Sequence, residues 1–232
     1  MTSVDATNAR RPLSLVERRV LGVLVEKQKT TDTYPLSLNA LTVGCNQKSN
    51  RHPVLDLRED QVEETLEGLR RDGFVTQVIG GRVDKWKHRL YEAWGVSGVE
   101  LAILAELLLR GPQTEGELRG HTSRMEPIAD LETLRSHLNA LAQRGLVVYL
   151  TELGRRGTIV THGFHDPAEL EHIRSRQPAL PEELPPPPPS DLHASALGEL
   201  RAAVDQMRLE LDQLRSQVQR ILTELGLNSR ES

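Results

Sequence analysis

Residues 62–75 read VEETLEGLRRDGFV and residues 134–147 read LRSHLNALAQRGLV, and the two stretches share one pattern. Each has apolar residues at its first, fifth and eighth positions, a spacing that places three side chains on one face of a helix. A glycine then supplies the left-handed backbone that ends the helix, Gly73 in the first stretch and Gly145 in the second. Two apolar residues follow and begin a strand. We therefore predict a helix that leads directly into a β-hairpin, in two copies.

Two further helices are predicted before each copy. The capping boxes Ser14–Glu17 and Ser97–Glu100 begin the first of them, because the serine hydroxyl and the glutamate carboxylate satisfy backbone N–H groups that lack a helical partner. The second begins near Leu38 in one half and at the capping box Thr114–Glu117 in the other. Three helices followed by strand, turn and strand are typical of a winged helix. We predict a mainly α fold with small β-hairpins (α+β), built from tandem winged-helix domains.

Composition and periodicity divide the chain into five segments. We expect a disordered start at residues 1–12, winged-helix domains at 13–95 and 96–175, a linker at 176–190 and a coiled-coil helix at 191–227. The linker contains the run Pro185–Pro189, which favours an extended, semi-rigid chain. The tail has apolar residues spaced alternately three and four apart, which predicts a homodimer through Leu197, Leu200, Val204, Met207, Leu211, Leu214, Val218, Ile221 and Leu225.

Composition also narrows the function. The chain has 33 acidic and 29 basic residues, so any nucleic-acid contact must come from a local basic patch. The single cysteine, Cys45, excludes a disulfide framework within the chain and a zinc site of several cysteines. His162, His165 and His172 lack a cysteine or a carboxylate pair beside them, so no metal is predicted. We find no phosphate-binding loop or nucleophile elbow, and expect a protein without a cofactor that is not an enzyme.

No membrane segment is expected. The most apolar stretch, residues 99–109, is too short to span a bilayer and carries two glutamates. The first eleven residues lack the apolar region of a signal peptide. A cytoplasmic location follows as the expectation.

The first hairpin is the best candidate for a DNA contact. Strand alternation places Lys85, Lys87 and Arg89 on one face, with Arg82 near the turn. Such a row binds phosphates or simply faces solvent as the polar side of a strand, and both interpretations remain open.

Other basic residues extend the candidate set. Lys48 and Arg51 lie in a polar segment between the second and third helices, where a winged helix approaches the DNA backbone. The alternative is that Arg51 pairs with a carboxylate of its own domain. The second half contributes Arg135 on its third helix, and Arg155 and Arg156 in the turn of its hairpin.

The third helix of the first half argues against DNA. Residues 56–72 hold seven acidic and three basic residues, a net charge of −4, which the phosphates of a DNA groove repel. We therefore keep two functions open: a DNA-binding protein of the transcription-regulator kind, or a protein-interaction adaptor whose acidic helix meets a basic protein partner.

Several longer motifs resemble a known family. They are Glu26-Lys27-Gln28, Tyr34-Pro35-Leu36-Ser37, Cys45–Arg51 with Pro53-Val54, Lys85–Leu90, and Leu107–Gly111. Over residues 14–165 the sequence is similar to the YceH-like family of bacterial proteins. The resemblance implies a tandem winged-helix fold with a C-terminal coiled-coil tail, and it supplies no catalytic residues.

Overall fold

Helices and two small antiparallel sheets build the chain, as the sequence predicts. The computed structural model describes residues 11–81, 83–152 and 157–176, together with nine helical residues between 206 and 220. Within the first three ranges it contains eight helices and six short strands, so the α+β class is confirmed.

The elements of the first half recur in the same order in the second. The first half contains α1 (Leu15–Thr30), β1 (Leu36–Ser37), α2 (Leu38–Cys45), α3 (Glu59–Arg71), β2 (Val75–Val78) and β3 (Lys85–His88). The second contains α5 (Gly98–Arg110), β4 (Gln113–Thr114), α6 (Glu115–Thr122), α7 (Leu131–Gln143), β5 (Val147–Tyr149) and β6 (Ile159–His162). Helix α4 (Leu90–Trp94) joins the halves and α8 (Pro167–Arg176) follows them. The sheet orders, β1-β3-β2 and β4-β6-β5, are therefore equivalent.

The repeated pattern has the physical basis that the sequence indicates. Val62, Leu66 and Leu69 on α3 are buried, as are their counterparts Leu134, Leu138 and Leu141 on α7. Both glycines that end these helices have positive φ, 80° at Gly73 and 70° at Gly145. The capping boxes at Ser14, Ser97 and Thr114 are all formed. The predicted helix-to-hairpin unit is confirmed in both copies.

The first hairpin and its helix are shorter than the sequence predicted. Helix α3 begins at Glu59 rather than at Asp56, and β3 ends at His88 rather than including Arg89. The chain turns there into α4 because Leu90 and Trp94 are buried, and Trp94 stacks on Phe164 with ring centroids 4.7 Å apart. Gly95 ends α4 with φ 58°.

The two halves share one apolar core. Helices α1 and α5 pack against each other, and the buried side chains form a single cluster that spans both repeats. Gly22 permits this approach, since a Cβ there would lie 2.7 Å from the Leu109 side chain. The chain divides into the compact units Met1–Gln177 and Pro178–Ser232, so both predicted winged-helix domains belong to the first.

Several predictions fall wholly or partly outside the described residues. These are the start at 1–12 apart from Arg11 and Pro12, the linker at 177–190, Arg82, Arg155 and Arg156, and six of the nine seam residues of the tail. Arg11 is described, and its guanidinium pairs with Glu17 and Asp72. Within the described ranges, no helix combines the length and apolar character that crossing a bilayer requires.

Candidate nucleic-acid interface

The outer face of the first hairpin presents lysines and hydroxyl groups together. Lys87 lies opposite Thr76 across the β2–β3 ladder, and Lys85 lies between Val78 on β2 and Ser37 on β1. Directly paired residues point to the same side of a sheet, so these side chains share one surface. Trp86 and His88 are buried on the other side, as strand alternation predicted.

Three cations at this hairpin have no acidic partner among the described residues. Lys85, Lys87 and Arg89 are exposed, and no carboxylate in the described part of the chain pairs with them. Arg89 is not a strand residue, however. Its backbone, at φ −125° and ψ 28°, precedes α4, and its N–H donates to the Phe74 carbonyl over 2.8 Å. The predicted row of three strand cations is therefore wrong at one position. Lys85 and Lys87 are strand residues, and Arg89 caps the start of α4.

A groove of about 640 Å³ lies beside Lys87 and Arg89, with the buried His88 in its wall. The Nδ1 atom of His88 accepts the Leu90 backbone N–H over 3.3 Å, so the ring proton is on Nε2 and is donated to Gln28 Oε1 over 2.7 Å. Burial, with Lys29 nearby, lowers the pKa of His88 to about 4. The positive charge at this groove therefore comes from Lys87 and Arg89, with the Glu92 carboxylate also in its wall, and not from the imidazole.

Lys48 and Arg51 differ completely in their surroundings. Lys48 is exposed. Arg51 is buried and pairs with Glu26 of α1, and it also donates to the Gly44 carbonyl over 3.2 Å and to Gln47 Oε1 over 3.0 Å. The guanidinium is therefore unavailable to a phosphate, in agreement with the alternative in which Arg51 pairs within its own domain. One sequence signal points to this partner: Glu26 directly follows the apolar run of α1.

The third helices offer little positive charge. Arg135 of α7 pairs with the buried carboxylate of Glu115 over 2.9 Å, so its charge is already compensated. Helix α3 holds five acidic and two basic residues between its first and last positions, a net charge of −3. Glu63 and Glu64 on that helix are exposed, and no cation of the described residues pairs with them.

Comparison with known proteins shows which family the chain belongs to. The family model described as "Protein of unknown function, DUF480" matches residues 13–158. The chain belongs to this family. The match runs from the residue before the Ser14 cap to the last residue before β6, so it covers most of both repeats.

Relatives of this DUF480 chain occur in several bacteria. A UPF0502 protein of Rhodopirellula baltica is 48% identical over 165 residues, which are 70% of this chain and 69% of the relative. A UPF0502 protein of Pseudomonas paraeruginosa is 43% identical over 177 residues, or 75% and 80% of the two chains. One of Cupriavidus taiwanensis is 42% identical over 204 residues, or 77% and 84%. The family resemblance that the motifs indicated is confirmed.

One polar cluster of this DUF480 chain was missed by the sequence reasoning. Arg18 of α1 lies against His162, His165 and Glu169, which come from β6, the segment after it and α8. His162 and His165 stack with ring centroids 3.8 Å apart. No local spacing signals this cluster, because its members are about 150 residues apart in sequence. On sequence alone, the lack of a cysteine or a carboxylate pair indicates ordinary strand or surface histidines, whereas the strand residue His162 is buried.

Proposed function

We propose that this DUF480-family chain is a non-enzymatic DNA-binding protein in which each half is a winged helix. The outer face of the first hairpin contacts the phosphate backbone. The observation that carries this proposal is the exposed group of Lys85, Lys87 and Arg89, which no carboxylate of the described residues neutralises. Ser37 and Thr76 on the same face supply hydroxyl donors, which commonly bind phosphate oxygens.

The fold supports the hairpin as the contact rather than α3. In a winged helix the third helix enters the groove and the hairpin follows the backbone, whereas α3 here carries a net charge of −3. Like charge on helix and DNA opposes insertion. Phosphate contacts fix the position of a protein on DNA but carry no sequence information, so the proposal assigns backbone binding and not a target sequence.

The tail supports a homodimer. Met207, Leu211 and Val218 are helical and more than half exposed, and their spacing of four and seven is that of a coiled-coil seam. A parallel coiled coil would link two copies of the first hairpin. Once one copy binds a duplex, binding of the other becomes intramolecular, which raises the overall affinity for DNA. Light scattering tests this part. A chain truncated after Gln177 should be monomeric, and the full chain should be dimeric. A dimer of the truncated chain would show that the seam is not the main interface.

Binding to mixed-sequence duplex DNA at several salt concentrations tests the DNA contact. Each phosphate contact contributes roughly one unit to the slope of log affinity against log salt concentration. Replacing Lys85, Lys87 and Arg89 together with alanine should lower that slope by up to about three. The matched control is Glu63→Gln with Glu64→Gln, which should leave binding unchanged or slightly tighter. A slope that the triple change does not alter contradicts the proposal.

A second candidate is an adaptor that binds a basic protein partner. The exposed Glu63 and Glu64, for which the described residues provide no cation, favour it. The same two sets of variants separate the candidates. Loss of an activity on changing the glutamates, with no effect of the hairpin changes, would identify α3 as the docking surface.

A further inference from the structure

A cavity of about 210 Å³ lies where the start of α1, the end of α5, β6 and α8 meet. One part of its wall is apolar and includes Leu15, Pro53, Leu108 and Ile173. The rest is polar and includes Arg18, His162 and Glu169. We name it the Arg18 cavity. Its residues are different from those of the first hairpin, so a ligand bound in this cavity is independent of the proposed DNA contact.

His162 in this cavity has the same place in its hairpin as His88 in the first. His88 is paired with Val75 across the ladder, and His162 with the equivalent Val147. The Nδ1 atom of His162 accepts the backbone N–H of Phe164 over 3.2 Å, as that of His88 accepts the N–H of Leu90. A backbone N–H can only donate, so in both rings the proton is on Nε2.

The two rings differ in what their Nε2–H groups meet. That of His88 donates to Gln28 Oε1. That of His162 faces Arg18 Nη1 at 3.4 Å, which is itself a donor. Burial, with His165 and Arg18 nearby, holds the pKa of His162 well below its usual value, so the ring stays neutral. The Nε2–H group of His162 is therefore a buried donor that has no hydrogen-bond acceptor among the described residues.

Arg18 carries a second donor of this kind. The residue is only 6% exposed, and its Nε has no hydrogen-bond partner among the described residues. Its Nη1 donates to His165 Nδ1 over 2.8 Å, and its Nη2 donates to Glu169 Oε1 over 2.8 Å. A buried donor without an acceptor is costly, and native structures usually satisfy such groups with a protein acceptor, an ordered water or a bound ligand.

Glu169 is the one carboxylate that contacts Arg18 within the described ranges, and it comes from a helix that is poorly anchored. Helix α8 has no buried residue, and the Glu169 side chain is 34% exposed. The Glu169 carboxylate also lies 3.0 Å from His165 Nδ1, so it bridges Arg18 and His165. A ligand carboxylate can supply the same charge to both groups, and because α8 buries no side chain, displacing Glu169 loses little packing.

We propose that the Arg18 cavity binds a small organic carboxylate with an apolar body. Its oxygens accept from the Arg18 guanidinium and from the Nε2–H of His162, and they displace the Glu169 carboxylate. Guanidinium favours carboxylate because its fork of donors matches the two oxygens. The apolar body lies against Leu108 and Pro53. The size fits an aromatic acid, since an apolar cavity of about 150 Å³ accommodates benzene.

Calorimetric titration of the full chain with benzoate tests the site, with benzyl alcohol as a neutral compound of similar shape. Benzoate should bind at least about tenfold more tightly, because charge-assisted hydrogen bonds exceed neutral ones. Arg18→Gln should weaken benzoate by about tenfold or more. Equal affinity for the two compounds, or no binding of benzoate, overturns the proposal.

The competing carboxylate gives a test that does not depend on altering a buried residue. Glu169→Gln should tighten benzoate binding by about fivefold, because it removes the charge that the ligand must displace. Glu171→Gln is the matched control, since it makes the same change at an exposed position of the same helix and should leave the affinity unaltered. Weaker binding to the Glu169 variant, or an equal gain in both variants, contradicts displacement.

Discussion

The strands of the two hairpins of this DUF480 chain pair in equivalent registers, but their outer faces differ. Strand pairing places Lys85 of the first at the position of Ile159 in the second, since Ser37 and Thr114 are their partners on the neighbouring strands. Lys87 corresponds in the same way to Thr161, which is 0% exposed and bonded to His165 over 2.9 Å. The first hairpin therefore presents charge to solvent at both positions, whereas in the second Ile159 is half-buried and Thr161 is buried.

The difference shows that the residues that build the hairpin backbone are separate from the residues that set its surface charge. Apolar spacing, glycines and capping boxes build both hairpins alike, and they are buried or local features. The side chains of the outer faces contribute little to that backbone and are free to diverge. A repeated fold can thus present exposed lysines in one copy and, at an equivalent position of the other, a buried threonine that bonds to His165.

The largest expected effect tests whether the halves are one folding unit. Leu66→Ala and Leu138→Ala remove equivalent side chains that are fully buried, so each should lower the free energy of unfolding by about 2–5 kcal/mol. Because the core is shared, urea unfolding should remain a single transition in both variants. Leu131→Ala, at a partly exposed position of α7, should cost less than about 1 kcal/mol. Two separated transitions would show that the halves fold independently.

A smaller effect is the pH dependence that the buried His88 gives to the stability of the fold. The pKa of His88 is about 4 in the folded chain and near 6.5 when unfolded, so the unfolded state binds more protons between these values. Stability from this residue is therefore lost as pH falls, by about 2 kcal/mol from pH 7 to pH 5.

The variant His88→Gln isolates this contribution. The variant should be less stable than the parent at pH 7, as measured by urea unfolding, and this difference should shrink as pH falls to 5. The parent loses stability when unfolding lets His88 take up a proton, whereas glutamine does not titrate. His172→Asn, at an exposed position of α8, should follow the parent curve. A deficit that does not change with pH would mean that His88 is readily protonated in the folded chain.

How much of this was accessible from sequence depends on the range of the interaction. The helices, glycine stops, caps and the alternation of Lys85, Trp86 and Lys87 depend on neighbours in the chain, and the structure has them. Arg51 and Arg135 are paired because other elements contribute buried glutamates, Glu26 on α1 and Glu115 on α6. A charge pattern cannot distinguish a free arginine from one that packing has already paired.

The same limit explains the elements that were missed. Helix α4 forms because the Trp94 ring reaches Phe164, which is seventy residues away. Helix α8 has a weak apolar face, so periodicity gives it no signal. His162 is a strand residue by pattern, and only the tertiary fold brings Arg18 to its ring.

The smallest effect sharpens the comparison by exchanging one position between the hairpins. Lys85→Ile should lower the salt slope of DNA binding by about one, because one phosphate contact is lost. Ile159→Lys should leave that slope unchanged, since Ile159 is half-buried and Thr161 beside it on this face is fully buried. A slope that rises by about one in the second variant would show that both hairpins reach the duplex.

The most direct test of the central claim is to map the DNA contact residue by residue, from backbone amide chemical shifts as a mixed-sequence duplex is added to the full chain. We predict that the amide signals of Thr76, Lys85 and Lys87 shift together at low salt and return as salt is raised, while those of Val148, Ile159 and Thr161 of the second hairpin do not move. Shifts centred on Glu63 and Glu64 of α3, or on the second hairpin with the first unchanged, would contradict it.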